Sequence, residues 1–161
     1  MKKIIVPLLL FFLTMEIFAR NLTALERQII MAGPEEMLSL IMDRHMEKEM
    51  LSIYNSFADL DSDEIISGIT TAFPGTSEEE CLFLIIKLVL VVSLGSGDED
   101  GLETGLDILE FLSEIDSITG TEELPEDIKT FMKSSCWKDC IEFYRLFDPE
   151  SFLRDRFPEY F

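Results

Sequence analysis

The chain has 161 residues, with 13 basic and 32 acidic side chains, a single His, and a net charge of −19 at neutral pH. This length suits one domain with a real hydrophobic core. The charge argues against nucleic acid as a partner, because phosphate binding rests on a positive surface, and anionic membrane faces repel such a chain for the same reason.

The N-terminus reads as an export signal. Lys2 and Lys3 precede the apolar run Ile4 to Leu13, and Ala19 is the small residue before Arg20. Cleavage there divides the chain into a signal peptide, 1–19, and a single acidic helical domain, 20–161. The run is too short for a stable membrane anchor, which needs roughly 20 apolar residues, and Pro7 and Glu16 weaken it further. Removing Lys2, Lys3 and Glu16 takes the net charge from −19 to −20. Secretion to the extracellular space also makes Asn21-Leu22-Thr23 a glycosylation sequon, with Asn21 the candidate acceptor.

In the domain, Thr23 and Glu26 form a capping-box pattern ahead of Leu25, Ile29 and Ile30, and Gly33-Pro34 ends that first helix. Pro34 opens a second, with Glu35 and Glu36 at its positive end. Leu38, Ile41, Met42, Met46, Met50, Ile53, Tyr54 and Phe57 recur at steps of three and four, which predicts one continuous helix of about six turns. Ser62 is the expected cap of a third helix carrying Ile65, Ile66, Ile69 and Phe73, broken by Pro74-Gly75.

Residues 78–94 are the most informative segment. Thr76 and Ser77 offer N-caps, Glu78 to Glu80 load the first turn, and every residue from Leu82 to Val92 is apolar except Lys87. The β-branched residues Ile85, Ile86, Val89, Val91 and Val92 would suit a strand. Length and capping favour a helix, and a helix apolar all round belongs at the centre of its fold. Its burial contributes on the order of 15–30 kcal/mol gross. Lys87 must reach the surface or meet a carboxylate, since an unpaired buried ammonium is very costly.

After Gly95-Ser96-Gly97 and an acidic loop at 98–101, a fifth helix carries Leu102, Leu106, Leu109, Leu112 and Ile115. A sixth starts at Leu124-Pro125 and runs with Ile128, Phe131, Met132, Cys136, Cys140, Phe143 and Phe147 on one stripe, until Asp148-Pro149 breaks it. The tail retains Phe152, Leu153, Phe157, Tyr160 and Phe161 and is expected to dock on the body. The fold class is all-α, a compact bundle of about six helices around the apolar helix at 78–94.

Charge is unevenly placed. No Lys or Arg occurs from Leu88 to Ile128, whereas twelve carboxylates do, so the fifth helix is the negative end of the molecule. Such a face solvates the protein and can also steer a cationic partner.

Chemistry-bearing patterns are few. Asp59, Asp61 and Asp63 fall at the first, third and fifth positions of an EF-hand loop, but Glu64 replaces the central Gly and Thr70 the closing Glu. Ser96, Asp98, Asp100 and Gly101 start a second, which has Glu103 at an apolar position and closes on Asp107. These make, at most, a degenerate calcium binder. Cys81, Cys136 and Cys140 are disulfide candidates in an oxidising compartment. A bridge from Cys81 to Cys136 or Cys140 would close a loop of about 55 residues, worth roughly 4 kcal/mol. The odd thiol would then be inert or would link a dimer, whereas a Cys136–Cys140 bridge inside one helix strains the geometry. His45, beside Asp43 and one turn from Glu49, lacks the company of a catalytic motif, and no HExxH, GxSxG or P-loop pattern is present.

The sequence therefore leads to a non-enzymatic extracellular ligand or effector that acts through its surface, with no catalytic, metal or cofactor-binding residues and no cofactor. The alternative is a carrier of a small apolar ligand, its cavity lined by Phe and by Met37, Met42, Met46 and Met50. The expected partners are an extracellular protein or a small apolar molecule, with the chain a monomer or a disulfide-linked dimer.

Overall fold

A computed structural model describes residues 21–59, 61–118, 122 and 124–161. The expected signal peptide lies outside the described residues. Among the described residues nine α-helices follow one another: α1 Ala24–Met31, α2 Pro34–Met42, α3 Glu47–Phe57, α4 Ser62–Ala72, α5 Glu78–Gly95, α6 Glu99–Asp116, α7 Glu126–Lys133, α8 Ser135–Leu146 and α9 Pro149–Arg156. Short 3-10 turns at Arg44–Met46 and Pro158–Tyr160 complete the chain, and no strand occurs among the described residues.

The central position of α5 follows from its composition. It packs against α1, α2, α3, α4, α6, α7 and α8. Its start is fixed by the capping box: the Glu80 amide donates to Ser77 Oγ at 3.2 Å and the Ser77 amide donates to Glu80 Oε2 at 3.1 Å. Leu88, Leu90, Val91 and Val92 are fully buried, whereas Leu82 in the first turns stays half exposed. Gly97, at φ +69°, turns the chain back into α6. Helix α6 then lies close on α5, because a Cβ at Gly101 would stand 2.8 Å from the Ser93 carbonyl oxygen.

The core gathers α5, buried residues of α1, α2, α3 and α6 such as Ile29, Met37, Met50 and Leu112, and an aromatic file that runs into the C-terminal third. Phe83 and Phe131 have ring centroids 4.7 Å apart, Phe131 and Trp137 5.2 Å, and Phe147 and Phe152 5.2 Å. The tail docks in part, with Phe152 and Phe157 buried and Tyr160 and Phe161 exposed. A smaller cluster of Leu22, Ile30, Ile65, Ile69 and Cys81 joins α1, α4 and the start of α5.

Four boundaries differ from the sequence expectation, the simplest being that α6 starts at Glu99, inside the acidic loop expected at 98–101. The six-turn second helix is two helices, broken at Asp43, whose backbone is extended (ψ 103°) and whose carboxylate accepts from the His45 amide. Arg156 stabilises the break by donating from Nη2 to the Ile41 carbonyl at 2.7 Å and pairing with Glu47. The sixth helix is likewise two: Ser134 leaves helical geometry (ψ 155°), and its hydroxyl accepts from the Trp137 amide to start α8. Asp61, rather than Ser62, caps α4, accepting from the Asp63 amide.

Candidate functional site

Lys87 organises the surface around the α1–α2 bend. Its side chain is 2% exposed, and its Nζ donates to the carbonyls of Ile30 (3.1 Å) and Ala32 and to Asp139 Oδ2 (3.2 Å). Of the two outcomes open to Lys87, reaching the surface or meeting a carboxylate, it takes the second, with Asp139 on α8. The two carbonyls are those left free where α1 ends, so one buried cation caps a helix, pins the Gly33-Pro34 bend and ties it to α8.

A groove opens on each side of that bend. The first, of about 550 Å3, lies between α2 and α8 and is lined by Pro34, Glu35, Glu36, Glu142, Arg145 and Leu146. Through Leu146 it continues into a smaller hollow of about 190 Å3 formed by Leu38, Met42, Phe147 and Phe152. Met42 and Leu146 are 41% and 50% exposed, so the floor is an apolar strip presented to solvent. Its rim is acidic. The one cation there, Arg145, is held by Asp116 at 3.0 Å, and this pair joins the rim to the end of α6. Along the solvent face of α6, Glu103, Asp107, Glu110 and Glu114 follow one another at helical spacing, all exposed, and no ion pair to them occurs among the described residues.

The second groove, of about 300 Å3, lies where the ends of α1 and α4 meet the starts of α5 and α8. Ile30, Met31, Phe73, Phe83 and Leu84 give it an apolar lining, and Cys136 faces it. The Cys136 thiol donates to the Phe83 carbonyl at 3.1 Å, and Cys140 lies one turn further into the core. A hydrogen bond from Cys140 lowers the pKa of Cys136, burial opposes it, and the Lys87 charge assists. Cys140, as the donor of that bond and itself buried, is pushed up. Burial, with Glu80 and Glu78 beside it, also raises Cys81.

The cysteines correct one expectation. All three are free and buried, so no bridge joins Cys81 to Cys136 or Cys140. Cys81 belongs to the small α1–α4 cluster and the other two to the main core, a separation that their spacing in the chain does not reveal.

The EF-hand pattern also fails geometrically. Residues 62–70 and 99–107 are helical rather than looped, and Asp98 serves as the N-cap of α6, accepting from the Gly101 amide at 3.4 Å. No metal-binding group of side chains occurs among the described residues. His45 sits on the 3-10 turn with its side chain 96% exposed, paired with Asp43 and outside both grooves. The Met residues expected around a ligand cavity are divided: Met37 and Met50 are packed in the core, and Met42 floors the first groove. Asn21 is exposed just before α1. No described helix is long and apolar enough to cross a membrane.

The groove residues Glu35, Glu36, Glu142, Arg145 and Leu146 carry no signal of their own in the sequence. Glu35 and Glu36 read as partners of a helix dipole, and Leu38 and Met42 as core. Met42 is the last residue of α2, next to the Ile41 carbonyl that Arg156 binds. In comparison with known proteins, no family, no curated protein and no solved structure shows a significant match to the chain.

Proposed function

We propose that the protein is a secreted helical interaction protein without catalytic activity, which docks a basic amphipathic helix of an extracellular partner in the groove between α2 and α8. The observation that carries this reading is the exposed apolar strip of Met42 and Leu146 inside a rim of Glu35, Glu36 and Glu142. A helix with one apolar and one cationic face satisfies both halves of that surface, its apolar side covering the strip and its charges meeting the rim. The carboxylates of α6 add a field that steers such a partner, and this field weakens as salt rises.

Export rests on the Lys2-Lys3 start, the apolar run and Ala19. N-terminal sequencing of the protein from a secreting host should begin at Arg20, and a start at Met1 would contradict it. A glycan at Asn21 fits the same address, and enzymatic deglycosylation should then lower the mass.

A photo-crosslinking side chain placed at Leu146 tests the docking. In the protein's native fluid it should join a basic amphipathic segment, whereas the same group at Leu82, an exposed apolar position on α5, should not. Equal capture at both positions would contradict the assignment. The second groove favours a second reading, carriage of a small apolar ligand.

A further inference from the structure

The two hollows between α2 and α8 differ in chemistry, and the difference gives the groove a direction. Pro34, Leu38 and Met42 stand four residues apart on one face of α2, forming a ridge of about 12 Å along the groove. Glu142, Arg145 and Leu146 face it from the last turns of α8. At the start of the ridge the wide hollow carries the exposed carboxylates Glu35, Glu36 and Glu142. Arg145, the cation of that lining, is committed to Asp116 at 3.0 Å. Glu36 is held in place by Gln28, whose side-chain amide donates to its Oε1 at 3.1 Å. At the other end the hollow of about 190 Å3 is apolar apart from Asp148 and Ser151. Those two satisfy one another, the Ser151 amide and hydroxyl both donating to the Asp148 carboxylate. Negative charge therefore falls from the start of α2 to its end, as the lining passes to Leu38, Phe147 and Phe152.

We propose that the groove takes its partner helix in one direction, parallel to α2, with a Lys or Arg of the partner's first turns in the wide hollow. A Leu, Met or Phe one to two turns later then fills the narrow one. This assignment rests on the docking reading above and adds an orientation and a sequence pattern to it. Two forces set the direction. A helix is positive at its N-terminus and negative at its C-terminus, so its first turn is stabilised among Glu35, Glu36 and Glu142 and its last turn is repelled there. The second force is desolvation: a cation in the narrow hollow would exchange water for an apolar lining and for a carboxylate that Ser151 already engages. A reversed helix meets both penalties together. Glu36 and Glu142 are thus the residues that select the partner's polarity, and Phe152 is the floor that selects its apolar anchor.

The test uses two peptides of the same composition, each held helical by a hydrocarbon staple on its outer face and blocked at both ends. One carries its Arg residues in the first two turns and its Leu and Phe in the last two, and the other carries them in the opposite order. The first should bind the native protein about fivefold more tightly, the combined effect of a helix end and a rim charge. Glu36→Gln/Glu142→Gln, at exposed positions, should bring the two affinities together. A nitroxide at the C-terminal end of the first peptide should broaden the amide resonances of Ser151 and Phe152 more than those of Glu35 and Glu36. Equal affinities, a preference that survives Glu36→Gln/Glu142→Gln, or the opposite order of broadening would overturn the direction. Loss of both peptides by Met42→Glu/Leu146→Glu would in that case show that docking itself stands. Binding of neither peptide to the native protein would overturn the docking reading and the direction with it.

Discussion

The two grooves beside the α1–α2 bend share helix α8 and yet present opposite surfaces. The groove between α2 and α8 is wide, acid-rimmed and floored by exposed Met42 and Leu146. The one at the start of α8 is smaller, its apolar residues Ile30, Phe73, Phe83 and Leu84 mixed with Thr76, Glu80, Ser134 and Ser135. The difference comes from which cation ends which helix. Lys87 binds the carbonyls at the end of α1 and so fixes the bend common to both grooves, whereas Arg156 binds the Ile41 carbonyl at the end of α2 and fixes only the wide groove's far end. Two surfaces with different chemistry can thus be set by two buried cations on an otherwise apolar core.

Removing Lys87 should have the largest effect. Lys87→Met leaves Asp139 and two carbonyls without their partner, and breaking a buried pair of this kind costs about 3–5 kcal/mol. Urea unfolding should show that loss, together with loss of peptide binding between α2 and α8. Survival of that binding would separate the docking groove from Lys87.

Arg156→Ala should cost less, about 1–3 kcal/mol, because its partner Glu47 is more than a third exposed and water can replace part of the interaction. Here the comparison sharpens: peptide binding should fall, whereas hydrogen exchange at the start of α8, beside the second groove, should stay at its native rate. Faster exchange there as well would mean that α9 supports the whole molecule rather than one groove.

Gly101→Ala probes the scaffold away from both grooves. Its Cβ would press on the Ser93 carbonyl, and forcing α6 off α5 should cost about 1–3 kcal/mol by urea unfolding, with peptide binding between α2 and α8 intact below the transition. Loss of that binding well below the transition would tie the docking groove to the α5–α6 spacing.

The smallest effect is expected from acid. Asp148 caps α9 by accepting from the amide and hydroxyl of Ser151, and these bonds hold its pKa below the usual carboxylate value. The cap therefore contributes fully above the unfolded pKa, near 3.8, and its contribution is lost as pH falls through the lower folded value. Asp148→Asn should flatten the acid limb of the stability profile and lower neutral stability by the same small amount. An unaltered acid limb would remove Asp148 from that role.

Much of this fold was legible in the sequence where local physics decides. The capping box at Ser77 and Glu80, the all-round apolar character of α5 and the Gly97 turn are short-range features, and each appears as expected. The breaks at Asp43 and Ser134 were hidden because the apolar stripes run through them without Pro or Gly. The first is held by Arg156, more than a hundred residues away, and the second by a single serine hydroxyl. The site followed the same rule. A partner for Lys87 could be required from its burial, but Asp139 and the carbonyls of Ile30 and Ala32 could be found only in three dimensions.

The docking claim is tested most directly by titrating a basic amphipathic helical peptide of Lys and Leu into the native protein and into the Met42→Glu/Leu146→Glu variant. Both substitutions are at exposed positions and make the protein more negative. If attraction between net charges were the whole of the interaction, the variant would bind the peptide more tightly. Docking on the apolar strip predicts the opposite, a loss of about tenfold or more in affinity as two charges are placed where side chains must be desolvated. Equal or tighter binding by the variant would contradict the account.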